Sequence, residues 1–319
     1  MDDTDLNLLQ RRVARSFGDK PVADVMVKVR AIVGPGMIPD SEALAQAALE
    51  KLRSGEIPDA EELTALEIVI RMMRPVVLTK DGVPQDLPRK AGEDLFPPEH
   101  YDNWSDFKNN VARFVNSIGR IESIAPDGTT SHVGTGFLVS GSVLATNRHV
   151  LDALTFGSGV LRKKSARVVF KQEYGQNNRP SDIFPIIGVD AAHQDLDMVR
   201  LKLESTEREG VEIEPAAPAI GDEVVAIGYP AEDEKNNPAF LGTTFQNKFG
   251  VRCAALGEVL RGVKHPSFYH DCSTTQGNSG SPLFSLKTAK VIGIHRAGYF
   301  MYRNEAIDGA ALADFVSNA

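Results

Sequence analysis

Ser273-Thr274-Thr275-Gln276-Gly277-Asn278-Ser279-Gly280-Ser281-Pro282 is the segment on which the reading of this chain turns. Gly277 and Gly280 on either side of Ser279 permit a tight, strained turn that few other residues tolerate. Such a turn exposes the Ser279 hydroxyl and aims the backbone N–H groups of Gly277 and Ser279 at one point, where an oxyanion developing on an attacked carbonyl would be held. A serine hydroxyl is a poor nucleophile without a base. His149, in Ala145-Thr146-Asn147-Arg148-His149-Val150 at the end of an apolar run that starts at Val143, is the candidate base. A third group must orient the imidazole, and the order His, Asp, Ser places it between the two segments. Asp195 is preferred to Asp197: with Asp195, Met198, Val199 and Leu201 supply the buried positions of the next strand, whereas starting at Asp197 puts Arg200 where a residue normally packs inside.

From about residue 119 the chain consists of short apolar or alternating runs separated by Gly, Asn, Asp and Pro. Strands are predicted at 136–139, 143–146, 166–171, 183–189, 197–203, 224–228, 282–285 and 290–295, a density that suggests a pair of barrels. An alanine-rich closing helix is predicted at 309–316.

The first third reads differently. Leu6, Leu9, Val13 and Phe17 recur at helical spacing, and Val22, Val25, Met26 and Val29 do so after Pro21, with Gly34-Pro35-Gly36 ending the pair. A third helix follows Asp40 through Leu44, Ala48 and Leu52 to Gly55. A fourth starts after Asp59 with Glu62 three residues on, a capping box, and carries Leu63, Leu66, Ile70 and Met73 before Pro75. Residues 1–75 are therefore expected to be a separable helical domain, and 76–103, with Pro84, Pro88, Pro97 and Pro98 and no sustained period, a linker. Trp104, Phe107, Val111, Phe114 and Ile118 mark one more amphipathic helix at the head of a domain spanning 104–319, with its apolar face docked on the barrels.

The later segments resemble the trypsin/chymotrypsin-fold serine proteases of bacterial type. The likeness rests on Gly134-Thr135-Gly136-Phe137-Leu138-Val139 leading to His149, on Gly221-Asp222-Glu223-Val224 through Tyr229-Pro230, and on the Ser279 segment. It is closest to the glutamyl endopeptidases through Ser273-Thr274-Thr275 and Val291-Ile292-Gly293-Ile294-His295. It covers about the last two hundred residues and not the first hundred. The resemblance implies a mainly β fold, a chymotrypsin-like double β-barrel, here with an N-terminal α-helical domain. It implies a serine endopeptidase working through His149, Asp195 and Ser279, with Gly277 and Ser279 as oxyanion donors. The pocket residues it implies are Ser273 at the base, where an aspartate would select basic side chains, Thr274 and His295 as donors to a substrate carboxylate, and Gly298 in the wall. Preference for Glu or Asp before the scissile bond and preference for small or apolar residues both stay open at this stage. Arg296 is a candidate for added positive charge. Arg120-Ile121 looks like a zymogen cleavage site, but Asn278 lacks the charge that a newly freed amine would pair with, and the dipeptide is read as coincidence.

The remaining composition narrows the classes. The 319 residues are 42% hydrophobic and 24% charged with a net charge of −8, which excludes a basic nucleic-acid field. The acidic start Met1-Asp2-Asp3-Thr4-Asp5 has none of the character of a secretory leader, and no apolar run approaches a membrane span, so a cytoplasmic location is expected. Cys253 and Cys272 are then expected as free thiols. His100, His132, His193, His265 and His270 stand in no metal-ligand spacing, and neither a metal nor a cofactor is expected. The expected partners are a protein or peptide substrate and a regulatory protein contacted through residues 1–75. The alternative class is a peptide-binding, chaperone-like or scaffold protein with little proteolysis.

Overall fold

The computed structural model describes residues 3–33, 41–74, 76–88, 98–234, 238–260, 264–299 and 303–317. The Gly34-Pro35-Gly36 turn, Pro75 and Pro97 lie outside them. Four helices come first: α1 (Asp3–Phe17), α2 (Val22–Val33), α3 (Glu42–Ser54) and α4 (Ala60–Met72). The capping box at the start of α4 is present, with Asp59 accepting from Glu62 N and Glu62 accepting from Asp59 N. The inward face of α3 is Ala45, Ala48, Leu49 and Leu52, while Leu44 is exposed.

Next come β1 (Val76–Lys80), β2 (Val83–Pro84) and α5 (Pro98–Val115). The first barrel is closed by β3 (Ile118–Ile124), β4 (Thr130–Ser140), β5 (Val143–Thr146), β6 (Ala166–Phe170), β7 (Ile183–Ala192) and β8 (Val199–Leu203), in the order β3-β4-β5-β8-β7-β6; α6 (Arg148–Thr155) follows β5. The second half contains β9 (Glu223–Gly228), α7 (Pro238–Phe245), β10 (Cys253–Glu258), β11 (Ser267–His270), β12 (Pro282–Ser285), β13 (Val291–Tyr299), β14 (Arg303–Asp308) and α8 (Gly309–Ser317). Its sheet runs β11-β14-β13-β12-β9-β10-β1-β2. The far end of β10 comes back to β11: Val259 bridges His270, Leu260 N donates to Tyr269 O at 2.7 Å, and Asp271 N donates to Glu258 O at 3.2 Å. The fold is thus mainly β and chymotrypsin-like, with the candidate site between its halves.

The expected division of the chain needs correction. Residues 76–80 are a strand, not a linker, pairing Val76, Val77 and Leu78 with Ala255, Ala254 and Cys253 on the half of β10 that β11 leaves open. The helices before it share a core with the barrels. One apolar cluster runs from Val13, Val25, Leu49 and Leu66 to Val225, Ile227, Ala254 and Phe284. The Trp104 helix docks as expected, with Phe107 edge-on to Phe284 at 6.4 Å between centroids and Trp104 Nε1 donating to Gln85 O at 3.0 Å. Buried charges cross the same boundary. Arg12 of α1 and Arg74 after α4 both pair with Glu258 and Asp271, and Arg15 reaches Glu258 at 2.8 Å. Caps and apolar stripes allow the helices to form locally, but their inward faces are completed by barrel strands.

A chain starting at residue 103 is therefore expected to be insoluble or to melt without a cooperative transition, because it bares the apolar face of β10 and strips Glu258 and Asp271 of their counter-charges. Solubility and calorimetry check this; a soluble fragment with a sharp melt would restore the separable-domain reading.

Candidate active site

β5 delivers His149 to the first turn of α6, whose Asn147 precedes it with extended dihedrals. The acid that meets it is Asp197. Its Oδ1 accepts from His149 N at 3.0 Å and its Oδ2 lies 2.7 Å from His149 Nδ1. Asn147 Nδ2 donates to Asp197 O at 2.9 Å, and Arg148 Nη1 donates to His193 O and Gln194 O, tying the whole 193–197 loop to α6. Burial raises the pKa of Asp197, but the His149 hydrogen bond and charge, with Arg296 further off, lower it by more, so the carboxylate stays ionised. Held this way, Nδ1 carries the proton and Nε2 is left as the base.

The choice of Asp195 is corrected by this geometry. Asp195 is exposed, and its backbone N–H donates to His193 Nδ1 at 3.1 Å within the loop. The strand begins at Val199, and Arg200, which counted against Asp197, does pack inside: it is 4% exposed, donates to Phe315 O and Val316 O near the end of α8, and lies 2.9 Å from Asp190. A buried arginine whose partners are 10 and 115 residues away looks like a surface position in a linear pattern.

Ser279 lies in a turn pinned from several sides. Ser279 O accepts from Thr135 N at 2.8 Å, Gly280 N donates to His295 O at 2.9 Å, and Thr135 Oγ1 donates to Gly277 O at 2.7 Å. Both glycines are required. Gly280 has φ +86°, and a Cβ there would lie 2.1 Å from Thr135 O; Gly277 also has φ +86°, and a Cβ would lie 2.5 Å from His132 Cε1. Two carbonyls orient the candidate oxyanion donors. Gln276 O accepts from Ala231 N at 2.5 Å and Asn278 O from Ser281 N at 2.9 Å. Because each planar trans peptide points its N–H opposite to its C=O, the Gly277 and Ser279 N–H groups face away from those partners. Neither donates to an acceptor among the described residues.

The implied pocket residues gather on the second barrel. Ser273 and Thr274 are buried after β11, and Gly298 of β13 lies beside Thr274, since a Cβ on it would sit 3.5 Å from Thr274 Oγ1. His295 of β13 is 2% exposed, and its N–H donates to Ser281 O at 2.9 Å. Behind it stands His270, which the sequence reading left as structural: its Nε2 is 3.2 Å from His295 Nδ1. Burial, then the His149 charge, brings the His295 pKa down to about 3; burial, then His295, lowers that of His270. Both rings are neutral near pH 7. Asn304, also missed, donates to Cys272 O at 2.5 Å beside the pocket segment. Arg296 points its Nη2 to Glu305 at 2.8 Å rather than standing free. Arg120-Ile121 lies within β3 with Ile121 fully buried, no place for proteolysis. Cys253 and Cys272 are free and buried, and burial pushes the Cys253 thiol up to about 12. Among the described residues no group of His, Cys, Asp or Glu is arranged to hold a metal, and no helix is long and apolar enough to cross a membrane.

A double-barrel fold with His149 on Asp197 and a doubly glycine-flanked Ser279 between the halves defines a chymotrypsin-like serine peptidase architecture. Comparison agrees: the model of the trypsin-like peptidase domain matches residues 134–294, half of the chain, and the chain belongs to that family. It is similar to the glutamyl endopeptidase of Staphylococcus aureus strain MW2, 29% identical over 187 residues, covering 56% of this chain and 50% of the relative. The glutamyl endopeptidase of strain MRSA252 is 28% identical over 187 residues, 56% of this chain and 46% of that one. The chain thus spans about half the length of these curated relatives. The serine endoprotease from Yersinia pestis, a solved structure, superposes with a TM-score of 0.48 at 21% identity, covering 66% of this chain and 65% of that chain.

The buried imidazoles set an acid sensitivity. The unfolded chain takes up protons near the ordinary value of 6.5, while folded His295 refuses one until about 3 and His132, partly buried and under the Arg120 charge, until about 4. Protonation therefore favours the unfolded state: stability is full above pH 6.5 and drains as the pH falls, by up to about 1.4 kcal/mol per pH unit for each such ring. Urea midpoints at pH 7, 5.5 and 4.5 are expected to fall in that order, and His295→Asn to make the slope shallower; a flat profile would mean that the rings take up protons as readily in the folded chain as in the unfolded one.

Proposed function

We propose that the protein is a serine endopeptidase in which His149, oriented by Asp197, takes the proton from Ser279 Oγ as that oxygen attacks a peptide carbonyl. The Gly277 and Ser279 N–H groups receive the resulting oxyanion, and His149 then passes the proton to the leaving amine. Water repeats the sequence on the acyl-enzyme. The observation that carries this reading is the two-point hold of Asp197 on His149, one oxygen on the backbone N–H and one on Nδ1, which serves no purpose so direct as presenting Nε2. The substrate class we propose is protein or peptide with Glu, secondarily Asp, before the scissile bond. Support comes from Ser273 in place of an acidic pocket base, from Thr274 and a neutral His295 as hydrogen-bond donors, and from the likeness to glutamyl endopeptidases. A buried carboxylate needs such donors.

An active-site-directed fluorophosphonate is expected to label Ser279, and Ser279→Ala or His149→Ala to lose labelling and, on the order of, a million-fold in turnover. Equal labelling of wild type and Ser279→Ala would sink the assignment. Asp197→Asn is expected to lower kcat by about ten-thousand-fold through the wrong imidazole tautomer, with Asp195→Asn within a few-fold of wild type; the reverse pattern would hand the role to Asp195. On a peptide library, cleavage after Glu is expected to dominate and His295→Ala to cost more on Glu than on Leu substrates. Cleavage mainly after Leu, Ala or Val would refute the acidic pocket.

A further inference from the structure

One hydroxyl joins three segments around the Ser279 turn. Thr135 of β4 is fully buried, and its Oγ1 donates to Gly277 O at 2.7 Å and accepts from Tyr229 N, just past the end of β9, at 3.2 Å. The Thr135 backbone reaches the same turn: its N–H donates to Ser279 O at 2.8 Å, and its carbonyl, which accepts from Thr146 Oγ1 at 2.7 Å, is the group that leaves Gly280 no room for a Cβ. Thr146 ends β5, the strand that leads to His149. Two peptide planes meet at Gly277. Ala231 N holds the first through Gln276 O, and the Thr135 hydroxyl holds the second through Gly277 O. Glycine takes positive and negative φ about equally readily, so the φ of +86° at Gly277, and with it the direction of its N–H, is settled by holding both planes.

We propose that Thr135 is a positioning residue for the reaction, its hydroxyl aiming the Gly277 N–H at the oxyanion. This rests on the reading of the protein as a serine endopeptidase with Gly277 and Ser279 as donors. The hydroxyl gives its proton to one segment and accepts from another, so a methyl in its place leaves Gly277 O and the buried Tyr229 N without their partner at once. A carbonyl that has lost its donor turns toward another, and the Gly277 N–H turns with it. The bond from Thr135 N to Ser279 O is made by the backbone and survives any change of side chain, so the nucleophile keeps its own restraint. The loss therefore falls on one oxyanion donor. An interaction that strengthens only as charge develops on the attacked carbonyl shows in kcat rather than in KM.

The test compares full-length wild type, Thr135→Val and Thr135→Ser on a peptide anilide carrying whichever residue the protein cleaves after most readily. Thr135→Val, close to threonine in shape but without the hydroxyl, is expected to lower kcat about tenfold or more, short of the roughly 10²–10³-fold lost with a whole oxyanion donor, with KM within about threefold of wild type. The matching peptide aldehyde, whose adduct with Ser279 sets its oxygen on the same N–H groups, is expected to lose affinity in step with kcat/KM. Thr135→Ser keeps the hydroxyl and is expected to bring kcat back to within a few-fold of wild type. If Thr135→Val does not fold, Thr135→Ala carries the same comparison. A loss confined to KM, an unchanged kcat, or a Ser variant as slow as the Val variant overturns the proposal. Gly277-Asn278 is the one Gly–Asn pair in the chain, so ¹³C-carbonyl glycine with ¹⁵N-asparagine isolates the Gly277 carbonyl signal. That signal is expected to move upfield in Thr135→Val and to return in Thr135→Ser. A wild type that neither turns over peptides nor takes a fluorophosphonate sinks the endopeptidase reading, whereas an unmoved Gly277 signal in Thr135→Val overturns the positioning whatever the activity.

Discussion

Asp271 is the point at which the helices, the second barrel and the pocket are tied together. Its side chain is fully buried; Oδ1 accepts from Glu258 N at 2.6 Å across to β10, and Oδ2 takes the guanidinium groups of Arg12 and Arg74. Burial raises its pKa, but the charges of Arg74, Arg12 and Arg71 lower it well below the usual carboxylate range. Such a network adds little stability over well-packed apolar groups, yet removing one partner costs about 3–5 kcal/mol because the remaining charge is stranded. Its value lies in placement. His270 precedes Asp271 and Cys272-Ser273-Thr274 follow it, so whatever fixes Asp271 fixes both the back and the base of the pocket.

The electrostatics of the pocket follow from the same cluster. His295 and His270 are neutral near pH 7, so on the proposed specificity His295 would offer a substrate carboxylate a hydrogen bond rather than a charge. Behind them Arg12, Arg71 and Arg74 are buried against Glu67, Glu258 and Asp271, three cations against three anions, while Arg15 reaches Glu258 from the exposed side. In a low-dielectric interior such charges are tolerated only because each has its counter-charge in place. The helical layer thus supplies counter-charges to Asp271, next to the pocket segment, as well as apolar surface to the core.

The Ser279 turn and the placing of His149 at a helix start were legible because each announces itself locally, one by glycines that a strained turn demands and the other by an apolar run that stops there. The strands with clear punctuation were legible for the same reason, as was the capping box of Asp59 and Glu62. The acid was not, because Arg200 is buried by partners near Asp190 and Phe315 that no window of sequence contains. Strand Val76–Lys80 was hidden by the prolines after it, and the pairing of Arg12 and Arg74 was not legible because Glu258 and Asp271 lie far along the chain. Local geometry is written locally; the pairing of buried charges is not.

The Ser279 turn itself has no regular structure to hold it. It is restrained by Thr135 from the first barrel, by His295 from β13 and by Ala231 from the loop after β9, segments that lie far apart along the chain. A residue at φ +86° with no room for a Cβ is kept in place only when its surroundings over-determine it. The hydrogen bonds that do so come from both barrels, so the orientation of the Gly277 and Ser279 N–H groups depends on how the barrels meet. β1, α5 and the first four helices pack along the second barrel, and Arg252 of that barrel is buried on Glu173 of the loop after β6 and on Val115 O at the end of α5. The segments outside the matched family region therefore help set the angle between the barrels, and with it the site that the barrels share.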